Sequence, residues 1–424
     1  LQPVQLGSPE DFRAARECLK RADFNEERLC GLLGVEGLHQ VLSGESKLPA
    51  GNGDLLSLLA RAFLLGDYVD ASELRTSLTE EEWGAVTGLG LLTMDDDVPG
   101  RCYAPVMLCP AGGRFFASDR HNAPAGKSFT AATDTVYPTI TKGTARFIQT
   151  LPAAECERLL DLCSGTGVLA LVSAGAGRSR RSWAVDVTHR SSHFAEFNRR
   201  LNGIGGVSIL EGDLYEPVPG ETFDRIVAHP PYVAAVEKKW IFRDSEEFGE
   251  AITRRIIAGL PEHLETGGRF YCLTTGMETE EKRYEERVRA WLGERRDEFD
   301  ILLVELESYT LEVLISSLMY GGQRNVGECR DLRRQLEEAG AKRFFHGFVI
   351  IQRGGPAREA FTAHFDAGPR TGAREVEWLL DRLVDAVKPG HQRRLIESRY
   401  VMSENCELTI THRMEDGELV VSGM

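Results

Sequence analysis

Read for apolar and polar positions, the middle of the chain repeats one unit: a short apolar run, a polar or glycine-rich break, then apolar residues at helical spacing. Arg158 to Leu162 leads into Cys163-Ser-Gly-Thr-Gly167 and then Val168 to Leu171, which predicts strand, tight loop and helix. Trp183 to Val187 is a second strand with Asp186 near its end, and Val207 to Leu210 a third that runs into Glu211-Gly-Asp213. Phe223 to Ala228 is a fourth, ending at His229-Pro-Pro-Tyr232. A helix at 250–264 follows, then strands at 269–274, 301–305 and 343–352, with helical patterns at 278–293 and 326–339 between them. This alternation predicts an α/β domain on a mostly parallel sheet. Ligands bind outside the carboxyl ends of such strands, so the first four polar strand ends should meet in one crevice.

The flanks differ. Ser8-Pro9 followed by Glu10 and Asp11 caps a helix, and Asp54 to Leu65 reads as a buried one. Short helices start at Ala71 and Thr79, and the runs 89–94 and 102–108 flank an acidic turn, Asp95 to Gly100. Helices followed by a small hairpin suggest a winged-helix domain. Past Gly354-Gly-Pro356 a helix is expected at 373–387 and strands at 406–411 and 418–422. The expected domains are therefore 1–112, 113–353 and 354–424, the last a small accessory unit or dimer contact.

Composition narrows the partners. At 424 residues the chain exceeds one ordinary core, and 42% hydrophobic with 27% charged residues is a globular balance. No apolar run is long enough to span a bilayer, and Leu1-Gln-Pro-Val is neither a signal peptide nor an initiator start. A few residues missing or trimmed at the start and a cytoplasmic location are the expectations. The nine cysteines are scattered singles without a C-x-x-C pair, which predicts reduced thiols and no metal site. A net charge of −15 opposes a phosphate-rich partner, and the groupings Arg178 to Arg181, Lys238-Lys239 and Arg393-Arg394 read as solvated surface. The acidic 79–88 helix and its wing of aspartates suit substrate capping or a homodimer contact better than DNA.

In the crevice, Gly165 and Gly167 let a ligand approach the backbone at a helix start, and Asp186 can accept hydrogen bonds from ribose hydroxyls. The set Asp161 to Gly167, Asp186, Asp213 and His229-Pro-Pro-Tyr232 resembles the successive motifs of class I S-adenosylmethionine-dependent methyltransferases. The tetrapeptide is similar to the Asn-Pro-Pro-Tyr signature of enzymes that methylate planar nitrogens, including release-factor glutamine methyltransferases and methyltransferase small domain proteins. The resemblance implies a Rossmann-like seven-stranded sheet whose last strands meet antiparallel. It assigns Asp161, Gly165 and Gly167 to the methionine part of S-adenosylmethionine, Asp186 to its ribose and Asp213 to its adenine, with Cys163, Val187 and Leu214 as further cofactor-binding candidates. Pro230, Pro231 and Tyr232 then face the acceptor, and Tyr137, Thr139 and Thr144 are candidates for the cofactor's methionine end.

His229 stands where the family has asparagine. A neutral imidazole offers one acceptor nitrogen, so His229 could hold a substrate N–H beside the cofactor, act as a general base, or cap the strand end. The loop 238–249 reads as a lid or as exposed surface, with Trp240, Arg243, Asp244, Glu246 and Glu247 as candidates for substrate contact. The function implied is methyl transfer to a planar nitrogen of a protein side chain or small molecule. Alternatives are a small-molecule O-methyltransferase, a nucleic-acid base N-methyltransferase, or an inactive cofactor-binding regulator.

Overall fold

The computed structural model describes residues 4–45, 53–122, 132–233, 248–320, 325–354, 359–368 and 371–388, and the backbone alone of 234, 244, 245, 247, 411–415 and 418–423. The N-terminal part opens with α1 (Pro9–Arg21), where Ser8 and Asp11 form a capping box, followed by α2 (Glu26–Leu33). Next comes α3 (Leu55–Ala60), which widens into a π-turn at Arg61–Leu65 instead of continuing as the regular helix expected. The widened turn leaves carbonyls unpaired, and the buried Arg120 donates to those of Ala62, Phe63 and Leu64. Then follow β1 (Val69–Asp70), α4 (Ala71–Ser77), α5 (Glu80–Gly88), β2 (Thr93–Met94) and β3 (Arg101–Tyr103), in the sheet order β1-β3-β2. That is the element order of a winged helix.

A second hairpin, β4 (Met107–Ala111) and β5 (Arg114–Ser118), turns at Gly112 and Gly113, both at positive φ, where glycine is needed. The boundary placed between 112 and 113 falls inside this turn. After α6 (Lys142–Thr150) the sheet begins: β6 (Cys156–Leu162), α7 (Val168–Gly175), β7 (Ser179–Asp186), α8 (His189–Asn202), β8 (Val207–Glu211) and β9 (Phe223–Ala228). Two bridging segments, β10 (Val233–Ala234) and β11 (Asp244–Ser245), precede α9 (Ala251–His263) and β12 (Leu264–Thr279). The chain continues through α10 (Tyr284–Trp291), β13 (Phe299–Thr310), α11 (Leu311–Tyr320), α12 (Val326–Glu338) and β14 (Ala341–Arg353). Beyond lie β15 (Thr362–Asp366), α13 (Ala373–Ala386) and the antiparallel pair β16 (Thr411–Glu415) and β17 (Glu418–Gly423). The run expected at 406–411 lies outside the described residues except for Thr411.

The central sheet has the order β8-β7-β6-β9-β12-β14-β13-β15, parallel except for β14, which is antiparallel to β12 and β13. The seven-strand expectation is corrected to eight: β15 adds in parallel along β13, so the segment after 354 completes the sheet. The helix expected over 278–293 begins only at Tyr284, because β12 and β14 stay paired as far as Thr279 and Ala341. Neighbouring strand residues fall into opposite apolar cores, Leu159 on one face and Leu160 on the other. Burial of both faces explains the near-continuous apolar runs. No helix among the described residues is long and apolar enough to cross a membrane.

The N-terminal part shares its core with α8, where Phe12 meets Phe197 edge to face at 5.1 Å. Asn198 and Asn202 of α8 bind the backbone of β5 like a neighbouring strand: Ala117 N–H donates to Asn198 at 2.7 Å and Phe115 N–H to Asn202 at 2.9 Å. The Asn198 amide also donates to the carbonyls of Ala117 and Thr166, tying the hairpin to the loop before α7. Asn198→Leu should therefore lower unfolding free energy by about 2 kcal/mol through orphaned backbone groups, checked by urea denaturation.

Candidate active site

The loop between β6 and α7 is held from the next strand. Ser164 N–H donates to the carbonyl of Val185 at 3.1 Å, and Gly165 N–H to Asp186 Oδ2 at 2.8 Å. Cys163, Gly165 and Gly167 have φ of 55°, 52° and 75°, a left-handed sequence that curls the loop. The two glycines serve differently. A Cβ on Gly167 would lie 3.1 Å from Cβ of Ala195, so this position packs against α8, whereas a Cβ on Gly165 would meet nothing within 4 Å. Gly165 therefore faces open space, where a ligand can reach the backbone.

Asp161 is fully buried in β6. Its Oδ2 accepts from Ala170 N–H at 3.0 Å, while Oδ1 has no partner among the described residues. Burial pushes its carboxyl up to about 8, the Ala170 bond opposes that rise, and Asp186 nearby adds to it. A buried carboxylate with one bare oxygen fits a cationic ligand group. Asp186 accepts from Gly165 and, through Oδ1, from Thr188 N–H at 3.2 Å; burial raises its pKa and these bonds counter the rise. Val187 beside it is 54% exposed, an apolar surface at a polar strand end that suits a flat ring. Asp213 pairs with Arg255 of α9 at 2.8 Å, a partner the sequence did not reveal. Leu214 follows it, buried, with φ of 54°.

Leu162 and Ala228 are register partners, so the glycine loop and His229-Pro-Pro-Tyr232 leave the sheet side by side. The His229 ring stacks on Tyr232 at 5.8 Å and 17° and meets Phe147 of α6 edge to face at 6.0 Å. Its nitrogens form no hydrogen bond among the described residues, an arrangement unlike that of a strand cap. Burial, with His346 nearby, pushes its pKa down to about 4, so the ring is neutral around neutral pH.

Three strands add groups that the sequence reading did not single out. His346 of β14 lies 5.6 Å from the Tyr232 ring, and its Nδ1 is 3.2 Å from Thr275 Oγ1 of β12. Thr275 is in turn 3.5 Å from the hydroxyl of Tyr309 on β13. The ion pair Lys142 with Glu307 stands nearby at 3.0 Å. Because β14 runs antiparallel, its first half arrives at the carboxyl ends of its neighbours; only the sheet order could have pointed to His346.

Of the other candidates, Tyr137 is 42% exposed. Thr139 contacts Cys109 Sγ at 3.1 Å and Thr144 accepts from Thr141, so these two hydroxyls serve the fold. Trp240, Arg243 and Glu246 lie outside the described residues, and Asp244 and Glu247 are described as backbone only. Glu305, His364 and Asp366 bring ligand atoms within 4.8 Å of one another, but Arg343 already pairs with Glu305.

Residues 136–296 match the family model "Methyltransferase small domain". The ribosomal protein uL3 glutamine methyltransferase of Bradyrhizobium diazoefficiens is 30% identical over 35% of this chain and 50% of its own length. The release factor glutamine methyltransferase of Xylella fastidiosa is 32% identical over 28% of this chain and 48% of its own. The chain thus spans about half the length of these curated relatives. The matched segment covers the glycine loop, both following aspartates and the Pro-Pro-Tyr strand end. Residues 136–296 are thus similar to the methyltransferase small domain, and this part of the chain resembles the release factor glutamine methyltransferases.

Proposed function

We propose that the chain transfers the methyl group of S-adenosylmethionine to a planar nitrogen of a protein side chain or small molecule. The observation that carries this reading is the register of Leu162 with Ala228, which puts a cofactor-type loop and an acceptor-type tetrapeptide on adjacent strands. The loop would hold the cofactor: Asp186 the ribose, Val187 and Asp213 with Leu214 the adenine side, and Asp161 with Gly165 the methionine end. Bound there, the cofactor supplies an electrophilic methyl group. The protein's part is to hold the acceptor nitrogen in line with it, worth roughly 7 to 11 kcal/mol of barrier.

His229 favours a planar nitrogen. An amide or ring-bound amine loses its proton readily once the nitrogen begins to bond the methyl carbon, so a weak neutral base suffices. An alkylammonium must lose its proton first, which a ring with a pKa of about 4 cannot assist. The acidic face of α5, with Glu80 and Glu81 in its first turn, supports a partner other than nucleic acid.

Two outcomes check this. Isotope-labelled S-adenosylmethionine offered with glutamine-containing peptides, amino-heteroarenes and hydroxyl acceptors should yield nitrogen-bound methyl by mass spectrometry; exclusive O-methylation would discard the acceptor assignment. Because His229 is held neutral, the rate at saturating S-adenosylmethionine should stay flat from pH 8 down to roughly pH 5 and fall only as the ring protonates below that. A loss centred near pH 6.5 would mean the ring titrates as an ordinary histidine.

A further inference from the structure

The end of the domain away from the candidate cofactor loop holds a basic cleft. Helices α7 and α8 both start beside that loop and run away from it, and their last residues, Gly175 and Asn202, line a cleft of about 480 Å³ together with Gly203, Arg16 of α1 and Arg114 of β5. Since α7 has eight residues, this cleft lies roughly 12 Å from the glycine loop. Helix C-termini carry free carbonyls and a partial negative charge. Two arginines meet them here: Arg114 donates to the carbonyl of Gly175, and Arg16 to that of Leu201 at 3.0 Å. Both guanidiniums lie directly against a glycine, because a Cβ on Gly175 would collide with Arg114 Nε and one on Gly203 would stand 2.8 Å from Arg16 Nη1.

The cations exceed what they neutralise. Neither Arg16 nor Arg114 has an ion-pair partner among the described residues, and no carboxylate stands among the described residues that line the cleft. Lys20, also on the cleft, pairs with Glu17 at 3.0 Å, but both side chains are more than half exposed, so the pair is weak. A second cleft of about 340 Å³ shares Arg16 and Gly203 with the first and adds Arg199 and Arg200, which both hold Glu196 at 2.7 Å. Five cations thus share two carboxylate partners and two helix ends of about half a negative charge each, which leaves about two positive charges. In a chain of net charge −15 such a local surplus attracts anions that the rest of the surface repels.

We propose that the joined clefts bind a small polyanion, one that presents closely spaced anionic oxygens as a diphosphate or a tricarboxylate does, at a second site apart from methyl transfer. Arg16 and Arg114 spend only part of their donors on backbone carbonyls, and the rest of each guanidinium fork matches phosphate or carboxylate oxygens. Being already held against the helix ends, they lose little side-chain freedom on binding. The ligand would also join α1 of the N-terminal part to β5, α7 and α8, so its binding should stabilise that junction.

The test titrates the full chain calorimetrically with inorganic pyrophosphate and with citrate, which separates the two sources of anionic oxygens. At least one should saturate a single site, and its affinity should fall several-fold between about 50 and about 200 mM salt. Lys20→Glu reverses an exposed charge on the cleft; it should weaken that binding roughly tenfold while cooperative unfolding stays intact. Arg114→Lys keeps the charge but loses the fork, and should bind more weakly than wild type. No saturable binding of either anion up to about 10 mM, or equal affinity in wild type and Lys20→Glu, would overturn the proposal. So would binding of single-stranded RNA without binding of either small anion, which would assign the cleft to a nucleic-acid backbone.

Discussion

Asp186→Ala is expected to weaken binding of S-adenosylhomocysteine by roughly 10- to 100-fold, the cost of leaving ribose hydroxyls without their acceptor. The structure adds a second reason for a large effect. Asp186 Oδ2 holds Gly165 N–H and Oδ1 holds Thr188 N–H, so under the proposed cofactor placement the carboxylate that would receive the ribose also fixes the glycine loop. Asp186→Asn separates the two roles, because its amide oxygen can keep Gly165 in place while its NH₂ faces Thr188 N–H. It should bind between wild type and alanine. Calorimetric titration with the demethylated cofactor reads both variants, and wild-type affinity in Asp186→Ala would show that the ribose lies elsewhere.

Asp161 should make the ligand-free protein less stable as pH rises. Its carboxyl has an ordinary pKa when unfolded and one of about 8 when folded, raised chiefly by burial. The folded state therefore holds the proton more tightly: the stabilisation is fully present below about pH 4 and is lost progressively up to about pH 8. The loss is at most on the order of 5 kcal/mol. Asp161→Asn preserves the shape, removes the ionisation, and should flatten this dependence in denaturation curves taken from pH 5 to 9. Cofactor binding has the opposite sign. The ammonium group at the amino-acid end of S-adenosylmethionine favours the ionised carboxylate, so wild-type affinity should climb with pH towards about 8 and binding near pH 7 should release a proton. An identical pH dependence in wild type and Asp161→Asn would contradict both statements.

Strand ends and glycines were the most legible part of the chain, because they break hydrophobic periodicity. The four strands that become β6 to β9, and the expectation that their ends at Gly165, Asp186, Asp213 and His229 share one crevice, follow from them, whereas the seven-stranded sheet was implied by the family resemblance. Elements without such punctuation were not visible. Segment α11 (Leu311–Tyr320) runs straight out of β13 with no glycine or proline between them, so no break in the sequence marks its start. The five-residue β15 alternates only weakly and gains its place by pairing with β13. Likewise His346, Thr275 and Tyr309 sit inside strands as ordinary β residues, and only antiparallel β14 gathers them beside Tyr232. Pairing partners also escaped notice, since Arg255 reaches Asp213 from a helix 42 residues on.

The most direct test of the central claim, one methyl-donor site opening onto one acceptor site, is a crystal structure of the complex with S-adenosylhomocysteine. The account predicts the ribose on Asp186, the adenine against Val187 and Leu214, the amino-acid end over Gly165 towards Asp161, and the sulfur facing the space between His229 and Tyr232. A nucleoside bound anywhere else, such as the cleft of about 480 Å³ lined by Arg16, Lys20 and Arg114, or a sulfur turned away from His229, would contradict it.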